Sequence, residues 1–184
     1  MGLFDLFRFG LRKIAVARRA PNALDKRVIH ERLPITAFEP IGKAQFDHAL
    51  RFWFDQQKDG APPDWSCFRP EKHPALLPHI ILYEKIDDRY FTRIVGEALQ
   101  AYYPESPMGR YLDETCPPDR LPDVKMRMDR ALSDGLPNYV EKQRLWQERS
   151  QHFGYNALSM PFGAKDGRAL RVLCVLQVRS SATK

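Results

Sequence analysis

Disulfide frameworks and zinc ribbons are the first classes the chain excludes. Its three cysteines, Cys67, Cys116 and Cys174, are odd in number and none stands in a CxxC pair. Long apolar runs are missing as well: no stretch approaches the roughly 18 residues that a membrane-spanning helix needs. Glycine is scarce, ten residues against fifteen prolines, which argues for defined turns over a flexible low-complexity chain. Neither GxGxxG nor GxxxxGK[ST] occurs, so the usual phosphate-cradling loops are excluded. The GxSxG elbow and the HExxH zinc signature are absent too. No internal repeat is found. A reducing cytoplasm suits the unpaired thiols.

Charge of one sign is also scarcer than it looks. The net +6 of the 184 residues is concentrated at the front, where residues 1–32 hold eight Lys or Arg against three Asp or Glu. The other 152 residues hold 21 against 20, so the body is close to neutral. A basic face gripping phosphates over the whole domain is therefore not expected, and nucleic acid ranks last among the partners considered. With 43% hydrophobic and 28% charged residues, the chain has the composition of a globular protein. A chain of this length hides roughly 70% of its unfolded surface, enough for a true core.

What is present centres on residues 79–112. The runs IILYEKI and RYFTRIVG are rich in β-branched and aromatic residues, and only Asp87-Asp88 separates them. That pattern predicts a tight antiparallel hairpin. Upstream, residues 43–58 predict a helix with Phe46, Leu50, Trp53 and Phe54 on a buried stripe, stopped by Gly60, Pro62 and Pro63. A proline-punctuated connector, residues 65–78, leads into the hairpin. Downstream, Glu97–Tyr103 predicts about two helical turns, and Gly109–Glu114 opens another short element. The main interior helix is expected within residues 118–134, starting near Leu121. Val124, Met128, Ala131 and Leu132 mark its buried stripe, Lys125, Arg127 and Arg130 its solvated face, and Gly135 its C-terminal cap. Strands are expected over 138–146, 152–162 and 169–179, with Lys165-Asp166-Gly167 turning between the last two. The run VLCVL is apolar at consecutive positions and predicts a central strand covered on both faces.

Residues 3–19 predict an imperfect amphipathic helix. Leu3, Phe4, Leu6, Phe7, Leu11 and Ile14 fall on one side, and Arg8, Arg12 and Arg19 on the other, while Phe9, Val16 and Arg18 stray. Docking on its own domain or on a second copy ranks first, attachment to an anionic membrane surface second. A targeting peptide ranks third, since residues 1–32 contain no Ser and no cleavage site follows a long apolar run. Three segments result: a basic helix and linker over 1–42, a domain over 43–179, and a loose tail over 180–184.

Reactive patterns are thin. Asp87-Asp88 is explained by its turn and Asp113-Glu114 by solvated helix-end charge. His73 and His79, six apart across two prolines, read as surface or capping histidines rather than metal ligands. Cys174 reads as a core thiol and Cys116 as a near-surface one. No catalytic or metal-binding residue is named, and the chain is expected not to be an enzyme.

The order of helix, connector, hairpin, short helices, long helix and three antiparallel strands resembles the PAS domain family. It is closest to small bacterial stand-alone PAS proteins. The matching residues are the strand entry LLPHIILYE, Arg93-Ile94-Val95-Gly96, Gly109-Arg110-Tyr111-Leu112, and Met160-Pro161-Phe162. Their order and spacing over residues 43–179 carry the resemblance. It implies an α+β fold, a five-stranded antiparallel sheet with flanking helices. It also implies a sensory or interaction module with a pocket between sheet and helices. Arg93, Gly96, Gly109, Arg110, Leu112 and Pro161 are read as architectural. Gly96 is expected to avoid crowding the helix after it, Arg93 to pair with Asp113 or Glu114, and Pro161 to sit unpaired or at a bulge. The cofactor is unknown. Residues 118–134 contain no His to ligate haem, and the Asn-Cys-Arg-Phe-Leu motif of flavin photosensors is missing. Output is expected through a protein partner, a homodimer, or the inner face of the membrane.

Overall fold

The apolar run of residues 172–176 lies on the central strand of a five-stranded sheet. The computed structural model describes residues 34–144, 153–163 and 169–180, and the elements below are those of the described residues. Helix α1 spans Ala44–Gln56, followed by three 3-10 turns, Trp65–Cys67, Pro70–Lys72 and Leu77–His79. Strands β1 (Ile80–Ile86) and β2 (Arg89–Val95) form the hairpin. Helices α2 (Glu97–Gln100), α3 (Leu112–Thr115) and α4 (Leu121–Asp134) come next, then β3 (Asn138–Arg144), β4 (Phe153–Gly163) and β5 (Ala169–Ser180). The sheet order is β2-β1-β5-β4-β3, with every neighbouring pair antiparallel. The protein is thus α+β, as expected.

Alternation along β5 explains why both faces of the sheet are buried. Val172, Cys174 and Leu176 point into one core with Ile81, Tyr83, Tyr155 and the α4 residues Val124 and Met128. Leu173 and Val175 point into the other, with Leu82, Leu158, Met160, Phe162 and the α1 row Phe46, Ala49, Leu50 and Trp53. A period-two strand between two helical layers must be apolar at every position, which is what the sequence shows. The four α1 residues have no exposed surface, and each large one contributes about 1.5–3 kcal/mol by burial. Ile35, Phe38 and Ile41 of the preceding linker pack on the same outer core.

Several local expectations change in three dimensions. The helix expected over Glu97–Tyr103 is regular only to Gln100, and hydrogen-bonded turns carry the chain on to Tyr103. Arg127 is buried at 6% exposure instead of solvated, because it lies three residues after Val124 on the face toward the sheet. Cys116 is buried, not near the surface: it ends α3 beneath the inner core. His73 is buried as well, stacked on Phe68 with ring centres 5.3 Å apart. Gly135 does cap α4 in the left-handed conformation, at φ 64°. The expected turn at Lys165-Asp166-Gly167 lies outside the described residues.

Candidate functional site

The interior between the sheet and α4 gathers the least ordinary polar groups of the domain. Val124, Arg127 and Met128 occupy one face of α4, at the spacing of neighbouring turns, and they oppose Ile81, Tyr155 and Cys174 across a small cavity. Its volume is about 20 Å³, room for one water. Arg127 Nη2 donates to the Tyr155 hydroxyl at 2.9 Å, and Asn138 Nδ2 donates to the Arg127 carbonyl at 2.9 Å. The Ser159 hydroxyl lies 3.6 Å from the Cys174 thiol. The side-chain oxygen Oδ1 of Asn138 has no hydrogen-bond partner among the described residues.

Burial sets the protonation of the site. It pushes the Tyr83 and Tyr155 phenols upward, the latter against the pull of Arg127. It raises Cys116 to about 12 and Cys174 to about 11. At neutral pH these thiols and phenols are protonated, the form that packs and donates rather than attacks. At the rim, Asp129 accepts from Lys85 Nζ, Lys125 Nζ and the Tyr90 hydroxyl, each at 2.7 Å. Burial alone would raise Asp129, but these three hydrogen bonds outweigh it and hold the carboxyl at about 2. Among the described residues no three His, Cys, Asp or Glu converge on a metal position.

The residues singled out from the sequence gather elsewhere. Arg93, Gly96, Gly109, Arg110 and Leu112 cluster at β2 and the loop that covers it, and Pro161 stands apart on β4. The backbones of Gly109 and Arg110 seal the outer edge of β2: Gly109 N–H donates to the Thr92 carbonyl, and Thr92 N–H to the Arg110 carbonyl, both at 2.9 Å. Gly109 does this at φ 80°, open to few residues besides glycine. Arg110 reaches Glu105 at 3.0 Å, and Leu112 is buried in the inner core.

Two assigned roles need correction, those of Arg93 and Gly96. Arg93 pairs with Glu84, not with Asp113 or Glu114. Strand register puts Glu84 opposite Phe91, diagonal to Arg93. The pairing with Asp113 and Glu114 falls to Arg89, at 3.0 and 2.8 Å, with its guanidinium 3.7 Å above the Tyr111 ring. Gly96 is crowded by the turn before β1 and not by the helix after it. A Cβ there would collide with the carbonyls of Leu77 and Pro78. Pro161 is in register with Val172 of β5 and has no β3 residue opposite it, and the irregularity of the β4–β5 ladder falls one step later, between Phe162 and Gly163. Its missing N–H is tolerated because β3 begins only at Asn138, opposite Ser159. Its carbonyl accepts from the Trp53 indole at 2.6 Å, tying β4 to α1.

Leu3, Phe4, Phe7, Arg8, Leu11, Arg12 and Ile14 lie outside the described residues. Sequence reasoning missed Arg127, Asn138, Tyr155 and Ser159; for Arg127 its place between Val124 and Met128 on the helical stripe was the available signal. A scan against protein-family models finds no match for the chain, and a search of curated proteins by sequence finds none either.

Proposed function

We propose that the chain is a PAS-type regulatory module, not an enzyme, that works by contact with a protein partner or a second copy of itself. The observation that carries this reading is the strand order β2-β1-β5-β4-β3, with α2, α3 and α4 inserted between β2 and β3 against one face and α1 on the other. The cavity between the sheet and α4, about 20 Å³, has room at that place for a water and not for a drug-sized ligand, which favours contact over ligand binding there. Native mass spectrometry of the purified protein tests the reading. The expected species weigh the polypeptide alone or a whole multiple of it, and a stoichiometric small molecule would replace the contact reading with a ligand-sensing one.

A second reading, a peripheral membrane adaptor on the inner membrane face, rests on the charge distribution. Eight of the 29 Lys and Arg lie in residues 1–32, where residues 3–19 carry the amphipathic pattern. Co-sedimentation with anionic liposomes, with and without residues 1–20, separates the two: equal pelleting rejects the membrane.

A further inference from the structure

The outer layer holds a pair of histidines that neither the cores nor the proposed function uses. His48 Nε2 lies 3.0 Å from His73 Nδ1, joining α1 to the turn Pro70–Lys72. His48 is exposed on α1, whereas His73 is only 7% exposed. The His73 ring stacks on Phe68 at 10° and meets Phe52 of α1 at 4.5 Å between centres. Such a contact requires one ring nitrogen to donate and the other to accept, so at least one imidazole must be neutral. With both protonated, two N–H donors would face each other at hydrogen-bond distance.

We propose that His48 and His73 form an acid-released clasp, which fastens the connector of residues 65–79 to α1 at neutral pH and lets it go in mild acid. The groups facing His73 are His48 from α1 and Lys72 and Glu71 from its own turn; Phe52 and Phe68 bring no charge. Burial lowers the His73 proton affinity most, His48 and Lys72 lower it further, and Glu71 opposes them. The sign follows by linkage. A histidine that is harder to protonate in the folded state stabilises that state fully above the unfolded value near 6.5, and this contribution fades as pH falls through that value. Between the folded and unfolded values the constant for local opening rises as pH falls, with about tenfold per pH unit as the limiting slope. The layer beneath α4 shares none of these groups, so the release is confined to the connector and the α1 face it covers.

The test follows the intact chain from pH 8 to 5. Long-range proton–nitrogen spectra of the imidazoles should show His73 titrating below 6.5, and a value at or above 6.5 overturns the clasp. Hydrogen exchange, corrected for its intrinsic pH dependence, should show the connector amides opening progressively more as pH falls below 6.5, up to about tenfold per unit, while α4 and β5 hold steady. Uniform opening of the whole domain also overturns it. His73→Phe, which keeps a ring between Phe52 and Phe68, should remove the acid sensitivity. If that variant fails to fold, His48→Gln, altered at an exposed position, should blunt it instead. Retention of the full pH response in the folded variant refutes the proposal.

Discussion

Gly96→Ala should lower the melting temperature sharply, for a reason that lies in space and not in backbone conformation. Gly96 has φ −64° and ψ 145°, which any residue adopts. Yet an added methyl would run into the carbonyls of Leu77 and Pro78, which are backbone and cannot rotate away. Relief requires β2 to move from the turn before β1, and the 2.8 Å hydrogen bond from Gly96 N–H to the Ile80 carbonyl moves with it. Overpacking plus a weakened hydrogen bond gives about 3 kcal/mol, or a Tm lower by about 6–12 °C for a chain of this size. Gly109→Ala is the control. No heavy atom lies within 4 Å of its added Cβ, so only the left-handed φ of 80° is penalised, about 1–2 kcal/mol. The asparagine variants separate the two causes. Asn visits the left-handed region readily, so Gly109→Asn should recover most of the loss, whereas Gly96→Asn should be no better than Gly96→Ala. Urea and thermal melts of the four variants decide it. A Gly96→Ala protein melting within a degree of the parent, or rescue at Gly96 by Asn, refutes the steric argument.

Three further predictions concern the side chains. Because the folded Asp129 carboxyl sits below its ordinary range, its stabilisation is present at neutral pH and drains as pH falls from about 4 toward 2. Asp129→Asn should therefore lower Tm at pH 7 and converge with the parent in that acid window; parallel Tm–pH curves would contradict the assignment. In double-mutant cycles Arg89 and Asp113 should couple, while Arg93 and Asp113 should behave additively, since Arg93 is held by Glu84. Iodoacetamide at pH 8 should modify half-exposed Cys67 well before buried Cys116 and Cys174, with all three reacting at one rate in denaturant, as read by intact mass.

The sequence was most legible where a local pattern admits one solution. Asp87-Asp88 between two β-branched runs could close only a tight hairpin, and it does, with Asp87 at φ 53°. The start of α4 at Leu121 and its glycine cap were readable for the same reason. The paired faces of β5 followed from an unbroken apolar run. Charge class misled where spacing was right: Arg127 belonged with Val124 and Met128, and its hydrogen bond to Tyr155 helps to accommodate the guanidinium inside. Cys116 went astray because its two following prolines suggested a surface turn.

Sequence by itself determined the element types and the alternation of buried residues along them, because both follow from bonds and spacings within a few residues. Tertiary structure alone decided which arginine meets which carboxylate, what stands against Gly96, and that His48 and His73 touch across 25 positions of chain. Those contacts depend on strand register and on how two layers are laid over a sheet, and a shift of one residue would reassign every one of them.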